Sequence, residues 1–243
     1  MIHQTFWLTA TDHSRLFVNQ WLPETAPLAV IMLAHGMAEH SGRYARLAQA
    51  LCDEGYGVYA MDLRGHGKTG EEAILGHFAD EDGWAKVVGD LASLNHHIGQ
   101  QHPDTPILLL GHSMGSYIAQ GYLLHHSASL HGAMLSGSNF QPVALYRSAR
   151  LIARFERWRQ GATGRSALIE WLSFGNFNKK FKPTRTPFDW LSRDPVEVDK
   201  YVHDPLCGFR CTNQLWVDLL GGLQQISKAS NLAQIDPGLP LLV

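Results

Sequence analysis

Cysteine is scarce. Cys52, Cys207 and Cys211 are the only three in 243 residues, and their irregular spacing offers no disulfide framework. Three free thiols in a reducing, cytoplasmic compartment are therefore expected. Neither sign of charge dominates: 20 Lys+Arg face 22 Asp+Glu for a formal charge of −2. That balance removes a global electrostatic case for nucleic acid, and no nucleic-acid partner is expected. No apolar run approaches the ~18 residues of a membrane span, and Met1 to Trp7 lacks the basic lead of a secretory signal. Fourteen histidines include no His-Glu-x-x-His, and Cys207-x3-Cys211 has no second pair nearby. No metal and no cofactor are expected. No internal repeat or low-complexity tract is visible.

What is present suits a folded core. Hydrophobic residues make up 45% and aromatic residues 10%, enough to exclude intrinsic disorder. The length suggests one large domain or a core with a sizeable insertion. Residues 3–8 and 15–21 alternate around Thr11-Asp12-His13-Ser14 and read as an antiparallel hairpin. Short apolar runs follow at 28–34, 56–61, 107–110 and 132–135, of the kind buried on both faces of a parallel sheet. Between them lie helical patterns at 43–54, 83–101 and 113–126. Strands alternating with helices of this length indicate an α/β fold with a mostly parallel sheet. The alternation stops near Gly137. From Ser138 to about Ile235 only helix-like stretches appear (143–159, 166–174, 213–227), so three parts are expected: core 1–137, helical cap 138–235, and returning core 236–243.

The run Leu108-Leu109-Leu110-Gly111-His112-Ser113-Met114-Gly115 is a buried strand, then Gly-x-Ser-x-Gly, then a helix. This is the context that a nucleophile elbow requires. Glycine at 111 and 115 lets the backbone crowd itself at a sharp turn, so that Ser113 sits on a strained corner with Oγ exposed. The helix that starts there aims N–H groups and a positive dipole end at developing negative charge. His35-Gly36-Met37 closes the strand 28–34, where the second oxyanion donor is needed; the backbone N–H groups of Met37 and Met114 are the candidates.

Three motifs recur in a fixed order: Ala34-His35-Gly36-Met37-Ala38-Glu39-His40-Ser41-Gly42-Arg43-Tyr44, then Met61-Asp62-Leu63-Arg64-Gly65-His66-Gly67, then Gly111-His112-Ser113-Met114-Gly115. Together they resemble the monoacylglycerol lipase and lysophospholipase branch of the α/β-hydrolase superfamily, closely over residues 28–137 and loosely over the cap. The resemblance implies ester hydrolysis of a lipid-like substrate by a Ser-His-Asp triad under a cap. It gives Ser113 the nucleophile role and Met37 and Met114 the oxyanion role, and it makes Asp62, Arg64 and His66 parts of a structural loop. Serine at 113 argues for acyl transfer, since dehalogenase-like and epoxide-hydrolase-like relatives carry aspartate at the elbow. Two alternatives stay open: a prolyl-iminopeptidase-type peptidase on the same core, and a non-catalytic binding protein on a hydrolase scaffold.

Such triads follow the chain order Ser, Asp/Glu, His. Here no histidine lies beyond His203, which sits in the cap; His112 is held in the elbow's backbone path; and Pro240 to Val243 opens an apolar run resembling the strand before the acid. The triad acid and base are thus expected outside this chain, which is expected to be incomplete as a catalyst. Between Phe140 and Arg185, ten basic residues face only Glu156 and Glu170. On the helix 143–159, Arg147, Arg150, Arg154 and Arg157 fall within about 80°, while Leu145, Leu151, Ile152, Phe155 and Trp158 cover another sector. Such a helix suits peripheral contact with an anionic membrane, or else packs on the core with a solvated charged face. Trp171, Phe174, Phe177, Phe181, Phe188 and Trp190 suit an acyl-chain channel or the cap's own core. Oligomeric state, headgroup and chain length are not legible.

Overall fold

The alternating N-terminal segments pair as an antiparallel hairpin in the computed structural model, which describes residues 1–243. Strands β1 (Ile2–Thr9) and β2 (Arg15–Leu22) run in register with Phe6 opposite Val18, and the turn between them holds His13 at φ 66°. The apolar runs become β3 (Val30–Ala34) and, after helix α1 (Ala45–Asp53), β4 (Gly57–Met61); every residue of both strands is buried. Helices α2 (Gly67–Glu71) and α3 (Gly83–Gln101) lead to β5 (Ile107–His112), and α4 (Met114–His126) leads to β6 (Gly132–Ser136). Helices α5 (Val143–Gln160), α6 (Ala167–Ser173), α7 (Pro195–His203), α8 (Asn213–Ile226) and α9 (Ala229–Leu232) follow without an intervening strand. Strand β7 (Leu241–Leu242) then pairs parallel with β6.

The sheet order is β1-β2-β4-β3-β5-β6-β7, antiparallel at β1, β2 and β4 and parallel from there on. Helices cover both faces. On one, α1 buries Ala48 and Cys52 against Trp21, Ile31, Leu33, Val58 and Ala60. On the other, α3 contributes Val87, Leu91, Leu94 and Ile98 and α4 contributes Ile118 and Leu123 to a continuous core with Val30, Met32 and Leu109. Each such side chain is worth roughly 1.5–3 kcal/mol when fully buried. Helix α8 is buried over nearly its whole length and packs on α3, α4 and α5, so it seats the later helices on the sheet layer. No helix is long and apolar enough to cross a membrane.

Helices α2 and α7 had no counterpart in the hydropathy pattern, although α7 carried a signal. Asp194 caps it by accepting from Val196 N–H at 2.9 Å, and Pro195 occupies the first turn, the arrangement in which proline's missing N–H costs nothing.

Helix α5 differs from both faces read in the sequence. It packs on α8 through Tyr146, Ala149, Ala153 and Glu156, a narrow sector of small and hydrogen-bonded residues. The apolar sector is left outside: Leu151 is 64% exposed and Trp158 80%. The arginine stripe is divided. Arg150 bends to α8, its Nε donating to the Val217 carbonyl at 3.1 Å, while Arg147, Arg154 and Arg157 remain exposed. Small residues at the contact let the two helices approach closely, which outweighs burial of the bulkier side.

Candidate active site

The elbow follows from crowding. Ser113 sits between β5 and α4 at φ 51°, ψ −118°, a conformation L-residues rarely adopt. A Cβ at Gly115 would lie 2.1 Å from the Ala34 carbonyl oxygen, and one at Gly111 2.6 Å from that of Gly115, so the turn closes only with glycine at both places. Ser113 N–H donates to the Ser136 carbonyl at 2.8 Å, and the Ser116 hydroxyl donates to the Ser113 carbonyl at 2.6 Å. These two bonds hold the corner from either side. The Ser113 hydroxyl itself makes no hydrogen bond to a protein group. Its neighbour His112 turns aside, Nδ1 lying 3.1 Å from Ser136 Oγ.

The loop after β3 comes up beside the elbow, with Gly36 so close that a Cβ there would lie 3.5 Å from Ser113 Cβ. Glu39 fixes this loop: its carboxylate accepts from Gly36 N–H at 2.7 Å, Tyr44 Oη at 2.8 Å and Arg43 Nε at 3.0 Å. The N–H groups of Met37 and Met114 carry no intramolecular hydrogen bond. Met37 is presented by a turn in which Ala38 takes φ 53°.

His35 lies behind this wall with both ring nitrogens used: Nδ1–H donates to the Gly36 carbonyl at 2.8 Å and Nε2 accepts from Leu63 N–H at 3.0 Å. Burial lowers its pKa and holds it neutral. His66, its ring tilted 59° to that of His35 at 5.4 Å between centroids, is also wholly buried; Nδ1–H donates to the Arg64 carbonyl at 2.9 Å and Nε2 has no partner. Burial, aided by the neighbouring His35, brings its pKa down to about 3. Asp62 accepts from Ser41 and from Lys68 N–H. None of Asp62, Arg64 and His66 reaches the cavity wall.

The two buried imidazoles set an acid limit. Their folded pKa values lie below the ~6.5 of an exposed histidine, so below pH 6.5 the unfolded chain binds more protons and stability falls as pH drops. Each contributes up to about 1.4 kcal/mol per pH unit. Urea unfolding at pH 7, 6 and 5 is expected to show this decline, and His66→Asn, which keeps a donor for the Arg64 carbonyl, is expected to flatten it by one proton's worth. Equal pH dependence in parent and variant would refute the assignment.

In front of Ser113 opens a cavity of about 520 Å³. Met37, Ser113 and Arg43 form its floor and one wall; Trp171, Phe174, Phe188, Trp190 and Leu191 form the facing wall from the later helices and turns. Of the six aromatics singled out in the sequence, four therefore line the cavity. Phe177 packs edge-on against Trp190 from behind, at 4.8 Å between ring centroids, and Phe181 is exposed. The sequence reading missed the wall made by Tyr201, Gly208, Phe209, Arg210 and Cys211, and also Glu170. No periodicity marks 204–212, which has neither helix nor strand. Burial pushes the Glu170 carboxyl up, against the opposing pull of Arg210.

The family described as Serine aminopeptidase, S33 matches residues 25–243. The chain belongs to this family of α/β-hydrolases. Within it the chain falls in the monoglyceride lipase branch. It is 37% identical over 224 residues to a human monoglyceride lipase, covering 91% of this chain and 67% of that one. It is 35% identical over 195 residues to a monoglyceride lipase homolog of monkeypox virus, covering 80% and 62%. It is also 37% identical over 136 residues to a monoacylglycerol lipase of Mycolicibacterium smegmatis, covering 53% and 47%. The chain thus spans about half to two thirds of the length of these relatives. The same fold occurs in a thermostable carboxyl esterase from Bacillus coagulans, with a TM-score of 0.88 at 24% identity over 99% of this chain and 78% of that one.

Proposed function

We propose that the chain carries the nucleophile and oxyanion site of a serine carboxylester hydrolase that acts on monoacylglycerol- or lysophospholipid-like esters. One observation carries the reading: Ser113, on a left-handed corner, shares a cavity wall with the Met37 loop, and the N–H groups of Met37 and Met114 are both unengaged. Ser113 Oγ attacks the ester carbonyl carbon, and the carbonyl oxygen takes the negative charge. The two N–H groups hold that oxyanion, each such donor being worth about 3–4 kcal/mol in a dry site. Collapse re-forms the carbonyl and breaks the ester C–O bond, the alcohol leaving with the proton given up by Ser113; water then adds to the acyl-serine, releasing the carboxylic acid and restoring the hydroxyl. The triad acid and base are assigned to none of the residues surrounding Ser113. Residues 138–235 act as the cap over residues 1–137 and 236–243. The aromatic wall takes the acyl chain, and Glu170, Arg210 and Arg43 face the polar end.

The peptidase alternative draws on the family's description. An aminopeptidase must pair a substrate ammonium with a carboxylate. Glu39 is occupied by Gly36, Tyr44 and Arg43, and Glu170 shares the cavity with the opposing cation Arg210. The cavity therefore favours an ester. A p-nitrophenyl acyl ester tested beside a prolyl amide discriminates: ester turnover is expected, and turnover of the amide alone would reverse the reading. A non-catalytic binding role is tested by a fluorophosphonate, whose failure to label Ser113 would support it.

Peripheral contact with an anionic membrane belongs to the same reading. The exposed apolar sector of α5 faces solvent beside Arg147, Arg154 and Arg157, an arrangement that can set side chains among acyl chains and guanidinium groups on phosphates. Glutamine at these three positions, with Arg150 left on its Val217 carbonyl, is expected to weaken binding to phosphatidylserine vesicles by about 1 kcal/mol per residue. Turnover of a soluble short-chain ester should barely change. Equal vesicle binding at low salt would contradict the assignment.

A further inference from the structure

Next to the Met37 loop, and outside the lining of the cavity, three metal-ligating side chains converge from parts of the chain about 165 residues apart. His40 Nε2 lies 2.8 Å from Asp204 Oδ2, and the donor atoms of His40, Asp204 and Cys207 all lie within 4.8 Å of one another. We propose that these residues form a binding site for a divalent cation of the zinc type, joining the loop after β3 to the segment after α7. The sequence reading expected no metal, because it looked for ligands close together along the chain.

The donor set indicates which ion. One imidazole nitrogen, one carboxylate oxygen and one thiolate suit the borderline-soft Zn²⁺, whereas Mg²⁺ and Ca²⁺ prefer oxygen alone. Tetrahedral zinc bonds of 2.0–2.3 Å place neighbouring ligand atoms about 3.5 Å apart. The present separations, from 2.8 Å up to 4.8 Å, therefore need shifts of no more than about 1.3 Å, which side-chain rotation supplies. Asp204 is already oriented, since its Oδ1 accepts from Leu206 N–H at 2.9 Å and leaves Oδ2 to face His40. Outer hydrogen bonds of this kind hold ligands in place.

Charge and access agree with this. Arg43 lies close to Cys207 but is paired with Glu39 at 3.0 Å, so its charge is already compensated. Burial and the neighbouring Asp204 push the Cys207 thiol up to about 12, so it becomes a thiolate only by releasing its proton to solvent as the ion binds; with an ionised Asp204 it then brings the two negative charges that a divalent ion requires. All three ligands are half-buried, and His40 and Asp204 open on a cleft also lined by Gly42, Arg46, Glu197 and Lys200, which leaves room for water as a fourth ligand. The two segments are already tied together, because Gly208 N–H and Tyr201 Oη both donate to the Ala38 carbonyl at 2.9 Å. A bound ion adds a third tie next to the turn that presents Met37. The proposal does not depend on the role of Ser113.

The test is titration of the chelator-treated 243-residue chain with Co²⁺ alone and with Zn²⁺ alone. The expected result is one Co²⁺ per chain with a thiolate-to-cobalt charge-transfer band, displaced by one equivalent of Zn²⁺. Cys207→Ser is expected to lose the band while Cys52→Ser, altered in the distant core under α1, keeps it. Asp204→Asn and His40→Gln are expected to weaken Co²⁺ binding at least ~10-fold, the lower end of what even outer-shell changes cost. Circular dichroism of each variant identifies any that fails to fold, and the parent's stoichiometry and band stand as a test without them. Absence of stoichiometric binding by the parent, binding without the thiolate band, or an unchanged band in Cys207→Ser would overturn the proposal.

Discussion

Replacing Ser113 with alanine is expected to lower ester hydrolysis by the native protein by on the order of 10⁶-fold, the loss seen when a triad serine is removed elsewhere. Alanine takes the same left-handed backbone at the same cost, and Gly111 and Gly115 still clear the turn. The unfolding midpoint is therefore expected to stay where it is. The hydroxyl is the only group removed, and it makes no hydrogen bond to the protein, so a loss confined to turnover separates chemistry from folding. Activity left by the oxyanion donors and binding alone amounts to about 10³–10⁴ over water in comparable sites. Parallel assays of the parent and Ser113→Ala on a monoacylglycerol, with peptide mapping of a fluorophosphonate adduct, provide the measurement. A variant as active as the parent would place the nucleophile elsewhere.

The largest expected effect on stability lies away from the cavity, at Arg64. The residue is 6% exposed, and its guanidinium bridges two carboxylates, reaching Asp90 at 2.5 and 2.8 Å and Asp12 twice at 2.8 Å, with Ser14 Oγ at 3.0 Å. It thereby joins the β1–β2 turn to α3. Burial drives the Asp90 carboxyl up to about 6 even with the guanidinium beside it, whereas the hydrogen bonds from Arg64 hold Asp12 well below the usual carboxylate range. Arg64→Met leaves Asp90 buried without a counter-charge, and breaking a buried pair in this way costs about 3–5 kcal/mol. The pH dependence gives the sign. In the variant the Asp90 pKa rises further above its unfolded value, so its neutral form is tolerated and stability is lost as pH climbs through that raised value. Denaturant unfolding at pH 8 and pH 5 is expected to show the larger deficit at pH 8, with turnover per folded molecule unchanged. A deficit under 1 kcal/mol at pH 8, or one larger at pH 5, would contradict this account.

Within the site, the elbow was legible because its constraints are local. A strand, two glycines four residues apart and a following helix need no distant partner to specify the corner at Ser113, and the same holds for the Met37 turn after β3. The hairpin and the parallel core strands were legible for a similar reason: period-2 alternation and short apolar runs report burial directly. The loop Asp62 to His66 was recognisable only as a motif. Its purpose, with Asp62 holding Ser41 and Lys68 and with Arg64 joining the β1–β2 turn to α3, depends on residues dozens of positions away.

What the tertiary structure decided was which surfaces meet. The sequence of α5 offered an apolar sector and an arginine stripe, yet the helix packs through Tyr146, Ala149 and Ala153, because contact with α8 depends on how closely two backbones can approach. The cavity wall at 208–211 and the cluster of His40, Asp204 and Cys207 have no periodic signature, since segments without regular structure take their positions from long-range bonds such as Gly208 N–H to the Ala38 carbonyl. Sequence alone determined the α/β architecture and the strained corner at Ser113, because covalent neighbours and local sterics fix both. The shape of the cavity, the buried partners of Arg64 and the convergence at His40 were decided only when the chain closed on itself, because they join residues whose proximity no local rule encodes.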